Sequence, residues 1–359
     1  MSTALSGPAA DLGINMRLGV EAGIDRLNRS NKTPEQDLEL VAMDDGYEPR
    51  RTAPNIRKLI EEENVSGIIG NVGTPTAIAA LPIMNEQKVP FFAAYTGAGI
   101  LRKNPPDPYV INYRASYAEE TAAMVEALIK YRGLRPEEFA FFTQRDGYGD
   151  SGFEGGIDAL LANGLKNETD VVHARYERNT MAVENGLADI LSAGRDPKAI
   201  IMVGAYSPCA KFIRLAKGIG LHPYFLNVSF VGAESLQREL GDLGEGTIIT
   251  QVVPHYESDL PLVREYHRDL TDYDPSAKPS FGSLEGYIAA RILGVALAEY
   301  NGPIDREGIA RALLDLGDFD LGLGVPLRLA PNHTQACHHV WASVIRDNRV
   351  QPLNWEDIP

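Results

Sequence analysis

The chain has 359 residues, enough for two domains of usual size, each with its own core. An apolar fraction of 44% and a charged fraction of 23% are those of a globular protein. The formal net charge of −15 argues against a nucleic-acid partner, which needs a basic stripe, and no apolar run approaches the roughly eighteen residues of a membrane span.

Taken in chain order, short apolar runs alternate with helical patterns, as in a parallel α/β sheet. Met16, Val20, Ile24 and Leu27 fall at helical spacing, with Arg17 and Glu21 placed to pair on the outer face. Strands are predicted over 38–42, 65–69, 91–94, 109–112, 139–143, 199–203, 224–228 and 247–252. Helices are predicted over 121–131, 209–218 and 285–300, and a late strand over 338–346 ends in the turn Asp347-Asn348-Arg349. The alternation restarts after about residue 118, with Arg114-Ala115-Ser116 read as a crossover. Two doubly wound, Rossmann-like lobes are therefore expected, with ligands gathering beyond the carboxyl ends of their strands.

Two loops carry most of the functional signal. Gly70-Asn71-Val72-Gly73-Thr74-Pro75-Thr76 and Phe91-Phe92-Ala93-Ala94-Tyr95-Thr96-Gly97 each end an apolar run in small, hydroxyl-bearing residues and lead into a helical pattern. A strand end beside a helix N-terminus leaves backbone N–H groups and a hydroxyl for an anion, here suited to a carboxylate. Further along, Gln144-Arg145-Asp146-Gly147-Tyr148-Gly149 places Tyr148 on a glycine-flanked turn at a strand end. Gly204-Ala205-Tyr206-Ser207 and Ser229-Phe230-Val231-Gly232 repeat that layout.

Signals for catalysis are weak: the chain has no Walker loop, no HExxH and no GxSxG. His333, His338 and His339 lie close in sequence, but neighbours on a strand point to opposite faces, so no shared metal is expected. No cofactor is expected. Asp44-Asp45 reads as a solvated turn or a cap rather than an acid pair. Cys209 and Cys337 sit in no CxxC pattern; two lone buried thiols is the preferred reading, with a pair as the alternative.

In their order and spacing these residues resemble the type I periplasmic binding proteins, specifically the Leu/Ile/Val-binding family of ABC-transporter receptors. The segments that carry the resemblance run nearly end to end. They are Leu5-Ser6-Gly7-Pro8-Ala9-Ala10, Asp44-Asp45-Gly46, Gly70 to Thr76, Thr96-Gly97-Ala98, Arg145 to Gly149, Met202-Val203-Gly204-Ala205-Tyr206, Thr250-Gln251-Val252-Val253-Pro254 and Ser283-Leu284-Glu285-Gly286-Tyr287. The resemblance implies three crossovers forming a hinge and a ligand cleft between the lobes. It assigns residues 1–117 plus 253–328 to lobe I and 118–252 plus 329–359 to lobe II.

Carried over by resemblance, Thr74 holds the ligand α-carboxylate through its hydroxyl, Ala94 and Thr96 complete that grip with backbone and hydroxyl donors, and Gly73 and Tyr95 are further expected ligand-binding residues. Tyr148 shuts over the ligand, Ala205-Tyr206 falls where the family often has a tyrosine near the ammonium, with Ala205 at that exact position, and Ser229 falls where the family keeps an acid for it; Phe230 is a further expected ligand-binding residue. Serine at 229 is a departure, because a buried ammonium without a carboxylate loses its strongest partner. Either Asp146 or Glu285 supplies the charge, or the ligand has no α-ammonium. The resemblance further implies a non-enzymatic, monomeric, periplasmic receptor for an amino acid or related carboxylate or amide, with ABC permease subunits as its membrane partner. The alternative is a ligand-sensing domain of an amide- or amino-acid-responsive regulator. The opening Met1-Ser2-Thr3-Ala4-Leu5 carries no export address and leaves little strand before the Leu-Ser-Gly-Pro turn, so a misplaced or processed start and a short first strand are expected.

Overall fold

The computed structural model describes residues 1–30 and 37–358; residues 31–36 and 359, assigned above to lobes I and II, lie outside the described residues. Two units emerge. The first comprises 1–96, 100–115 and 256–339, and the second 97–99, 116–255 and 340–359. Apart from the short excursion over 97–99, the chain crosses between them at 115/116, 255/256 and 339/340.

In the first unit the elements begin with β1 (Ser2–Thr3), α1 (Ala10–Arg29), β2 (Met43–Asp44), α2 (Pro49–Glu61) and β3 (Ile68–Ile69). They continue with α3 (Thr74–Gln87), β4 (Phe91–Phe92) and β5 (Val110–Ile111). In the second unit follow α4 (Tyr117–Arg132), β6 (Phe139–Gln144), α5 (Gly147–Ala162), β7 (Val172–Tyr176) and α6 (Glu184–Ser192). Then come β8 (Ala199–Val203), α7 (Tyr206–Gly218), β9 (Tyr224–Asn227), α8 (Ala233–Leu240) and β10 (Ile248–Gln251). The first unit resumes with α9 (Pro261–Tyr273), α10 (Phe281–Glu299), α11 (Arg306–Leu314), β11 (Gly317–Phe319) and β12 (Leu327–Leu329), and the second closes with β13 (Trp341–Arg346) and β14 (Arg349–Leu353).

The first unit stacks parallel strands: β1 on β2, and β3, β4 and β5 in that order. Pairing begins at Met43, after the run expected as a strand over 38–42; the amine of Met1 donates to Val41 O at 2.7 Å and Met43 N to Met1 O. Ile56, Leu59, Ile68, Leu81, Met84, Phe91 and Val110 form the core under α2 and α3. The Arg17–Glu21 pair closes at 2.7 Å. Behind it, α1 packs on α10 at close range: a Cβ on Gly286 would lie 2.2 Å from Met16 O, and one on Gly19 1.8 Å from Ser283 O. Only hydrogen fits there, and the lost propensity of glycine in a helix is the cost of that approach. By length and composition α10 could cross a membrane, but 78% of its apolar window is buried inside the protein, as in a core helix.

The second unit is one seven-stranded sheet in the order β14-β13-β10-β9-β8-β6-β7, parallel from β10 to β7 and antiparallel at β13 and β14. Phe139, Phe141, Phe142, Ile200, Ile201 and Met202 are buried in its centre, and Phe142 stacks on Phe212 with ring centroids 4.1 Å apart. The edge strand β7 escapes a hydrophobic-run reading because Val172-His173-Ala174-Arg175-Tyr176 alternates apolar and polar residues.

All three boundaries differ from expectation, the middle one falling at 255/256 rather than 252/253. The first crossing falls at 115/116 rather than 117/118, where Ser116 caps α4 in a capping box with Glu119. The last falls at 339/340 rather than 328/329. Residues after β12 stay with the first unit because Asn112 N donates to Thr334 O, Ala336 N to Asn112 O and Cys337 N to Tyr113 O. The late strand accordingly starts at Trp341, not at residue 338. Cys209 and Cys337 are both free and buried.

Asp44-Asp45 acts as a staple. Asp44 accepts from the backbone N–H of Leu5, Ser6 and Gly46 and from Ser6 Oγ at 2.6 Å, pinning the first loop; Asp45, fully buried rather than solvated, accepts from Ser2 Oγ, Thr52 Oγ1 and Tyr47 N. Burial pushes the Asp44 carboxyl up, but the bonds from Ser6, Leu5, Arg51 and Gly46 outweigh it and hold the group well below the usual carboxylate range. A depressed folded pKa contributes stability above the unfolded value, near 4, and loses it as pH falls. Asp45, raised by burial, works in the opposite sense. Asp44→Asn should therefore melt below wild type at pH 6, with the gap narrowing progressively as pH falls below about 4 and still open at pH 3; a pH series of melting temperatures on both proteins checks this.

Candidate functional site

The first unit's loops are aligned by the sheet that precedes them. The β3–β4 ladder continues past both strands: Val72 bridges Tyr95, Tyr95 N donates to Asn71 O at 2.8 Å, and Gly73 N to Tyr95 O at 3.2 Å. That register sets Thr74 opposite Thr96, and their hydroxyl oxygens meet at 2.7 Å in a buried site. Thr74 opens α3, where the helix dipole and the first N–H groups favour an anion. Thr76 is excluded from that role, since its hydroxyl is spent on the carbonyls of Val72 and Gly73. Ala94 sits under the turn, its carbonyl accepting Thr96 N at 2.7 Å.

Gly73 is required here. Its φ is +101°, and a Cβ would fall 2.1 Å from Cε2 of the Tyr47 ring. Tyr47 is buried against it, with its N–H fixed by Asp45 Oδ1 at 2.9 Å. On the other side, Arg102 braces the turn by donating to Thr96 O at 3.3 Å, Arg114 O at 2.9 Å and Gln335 Oε1. The buried Arg114 guanidinium lies 4.8 Å from the Tyr95 ring centroid and 3.6 Å from Glu285 Oε1.

A cavity of about 700 Å³ in the same unit is not this site: Val65, Ile68, Phe92, Leu297 and Leu313 line it, ahead of the Thr74 turn. A carboxylate entering there would meet Asp37, Glu39 and Glu63.

In the second unit the remaining candidates all follow the carboxyl ends of parallel strands: Tyr148 after β6, Ala205 and Tyr206 after β8, Ser229 and Phe230 after β9. Asp146 caps α5 through Tyr148 N at 3.0 Å, and Tyr148 Oη donates to Gly204 O at 3.3 Å. The Tyr148 ring lies 4.6 Å from Phe230 and 5.1 Å from Tyr117. Ala205 N donates to Tyr176 Oη, whose hydroxyl in turn donates to Gln144 Oε1; burial pushes the Tyr176 phenol well up, so it keeps its proton. Tyr206 opens α7 and is buried.

Asp146 and Glu285, the two acids considered for the ammonium, both have basic partners. Asp146 is held by Arg178 Nη1 at 3.0 Å and Gln144 Nε2 at 2.8 Å, and Glu285 by Arg114. The carboxylate found at Ser229 is Glu120, from α4. Its oxygens accept Ser229 N at 2.7 Å, Ser229 Oγ at 3.0 Å and Thr250 Oγ1 at 2.6 Å. Among the described residues no group of three or more His, Cys, Asp or Glu is placed to hold a metal.

A family model described as periplasmic binding protein matches residues 1–349. The chain belongs to the periplasmic binding protein family. This binding protein is 24% identical over 339 residues to Leu/Ile/Val-binding protein homolog 7 of Brucella abortus (strain 2308), spanning 89% of this chain and 82% of that relative. Among solved structures it is similar to a possible leucine/isoleucine/valine-binding protein from Rhodopirellula baltica SH 1, at 55% identity and a TM-score of 0.96, over 100% of this chain and 96% of that one. A substrate-binding periplasmic protein from Ralstonia solanacearum aligns at 27% identity and a TM-score of 0.89, over 98% of each chain. Together with the parallel strands and flanking helices described above, these fix the type I periplasmic binding protein fold.

Tyr47, Arg102 and Glu120 contact candidate residues of this binding protein, and the sequence did not single them out. For Glu120 a signal existed: it lies three residues after Tyr117, on the buried face of α4 with Thr121 and Met124, where an acid is out of place unless it is used.

Proposed function

We propose that this binding protein captures a small carboxylate of the branched-chain amino acid class by closing its two units over the ligand, and hands it to the permease of an ABC importer. The observation that carries the reading is the Thr74–Thr96 hydroxyl pair at the N-terminus of α3, a preformed grip for a carboxylate. The Brucella and Rhodopirellula proteins named for leucine, isoleucine and valine support that ligand class. On this reading Gly73, Thr74, Ala94, Tyr95 and Thr96 serve the carboxylate, and Tyr148, Ala205, Tyr206, Ser229 and Phe230 serve the rest of the ligand. The protein works in the periplasm as a monomer.

A thermal-shift panel tests the reading: branched-chain amino acids, their deaminated analogues, short amides and aromatic carboxylates. A ligand that binds only the folded state raises the melting temperature as its concentration rises. At least one carboxylate of the panel should do so, with affinity in the micromolar range, about −8 kcal/mol. A folded protein that ignores every carboxylate contradicts the proposal.

A further inference from the structure

We infer that Arg102 is the positioning residue of the carboxylate grip. Anchored on Gln335, it clamps the first-unit side of two joints in the chain, and the Thr96 hydroxyl thereby keeps its place opposite Thr74 when the chain beyond those joints moves. The inference rests on the proposed closure over a carboxylate and adds to it the group that keeps the grip in register.

Thr96 stands at a joint: it is the last residue of the first unit before the excursion over 97–99. The carbonyls on either side of that junction are held differently. Thr96 O accepts Arg102 Nη1 at 3.3 Å within the first unit, whereas Gly97 O accepts Tyr117 N at 2.8 Å within the second. A movement carried by Gly97 pulls the Thr96 hydroxyl from its 2.7 Å contact with Thr74 unless the Thr96 carbonyl is fixed from behind. Arg102 is placed to fix it. Its Nη2 donates at 2.9 Å to Arg114 O, just ahead of the crossing at 115/116, and its Nε donates at 2.5 Å to Oε1 of the buried Gln335. Gln335 is a firm post because the stretch that carries it is paired like a strand. Asn112 bridges Gln335, Asn112 N donates to Thr334 O at 2.6 Å, and Ala336 N donates to Asn112 O at 2.9 Å. The Gln335 amide is oriented by the same stretch, its Nε2 donating to Cys337 O at 3.0 Å with Oε1 facing the guanidinium. Donors at Nε, Nη1 and Nη2 of one rigid plane thus reach acceptors from separate stretches of chain, a span that the point charge of a lysine does not reproduce.

The test titrates L-leucine calorimetrically into wild type, Arg102→Met, Gln335→Leu, Gln335→Glu, Thr96→Val and the double variant Thr96→Val with Gln335→Leu. Arg102→Met should weaken binding by at least about tenfold, and Gln335→Leu, which removes the post and keeps the guanidinium, by about three- to tenfold. Gln335→Glu still offers Nε an acceptor and should bind within about threefold of wild type. With the Thr96 hydroxyl already gone, Gln335→Leu should cost less than about twofold more. A merely structural tie would lower the melting temperature of Gln335→Leu and leave its affinity alone, or would cost as much on Thr96→Val as on wild type; either result overturns the inference and leaves the carboxylate reading standing. If Arg102→Met does not fold, the Gln335 series decides on the same terms. If wild type takes another carboxylate of the thermal-shift panel in place of L-leucine, that acid is the titrant. If it takes none, the carboxylate reading falls, and this inference with it.

Discussion

Replacing Thr74 by valine is expected to weaken binding of the native ligand by about 10- to 100-fold. Valine keeps the shape of threonine but removes the hydroxyl, and a hydrogen bond to a charged group contributes roughly 1.5–3 kcal/mol. The loss has two parts. The ligand forfeits the Thr74 bond, and the Thr96 hydroxyl loses the neighbour that holds it at 2.7 Å. Thr74→Ser retains the hydroxyl and should bind within a few-fold of wild type. Titration calorimetry on the three proteins reads this, with melting temperatures confirming that each is folded. Equal affinity of Thr74→Val and wild type would remove Thr74 from the site.

Substituting Gly73 by alanine should be the more damaging change, because it acts on the backbone that presents Thr74. The new Cβ meets Tyr47 at 2.1 Å in a packed interior and sits on a backbone with φ near +101°. Overpacking costs about 1–3 kcal/mol and a left-handed conformation roughly 1–2 kcal/mol more. A loss of about 2–5 kcal/mol should lower the melting temperature by several degrees and abolish measurable binding. Tyr47→Ala in the same chain relieves the steric part and not the backbone part. The double variant should thus be more stable than the two single losses added together, though still short of wild type. Strict additivity would mean that the Tyr47 ring does not press on Gly73.

Much of this arrangement was legible in the sequence, for a specific physical reason. Parallel strands buried on both faces read as apolar runs, so 65–69, 139–143 and 199–203 stood out, and the small polar residues that end them mark the loops. The Thr74 and Thr96 turns follow directly, since adjacent parallel strands bring equivalent ends side by side. Side chains that act from outside the strand ends were not legible. Tyr47 reaches Gly73 only because Asp45 folds the loop after β2, and Glu120 reaches Ser229 across a separation of 109 residues. The late boundary was missed for a similar reason: the stretch after β12 belongs to the first unit by backbone pairing with Asn112 and Tyr113, which no local pattern encodes.

The serine at 229 shows how a sequence departure and a structure answer one another. Read alone, it suggests a site without its acid. In the fold, both donors of Ser229 are turned onto the carboxylate of Glu120, which comes from α4.

The measurement that tests the central claim most directly is a crystal structure of the protein with the strongest carboxylate hit of the thermal-shift panel. The account predicts a carboxylate oxygen within hydrogen-bond distance, about 2.6–3.2 Å, of both the Thr74 and the Thr96 hydroxyls. A ligand seated elsewhere, such as in the cavity lined by Val65, Ile68 and Leu297, with the two threonine hydroxyls still bonded to each other, would contradict it.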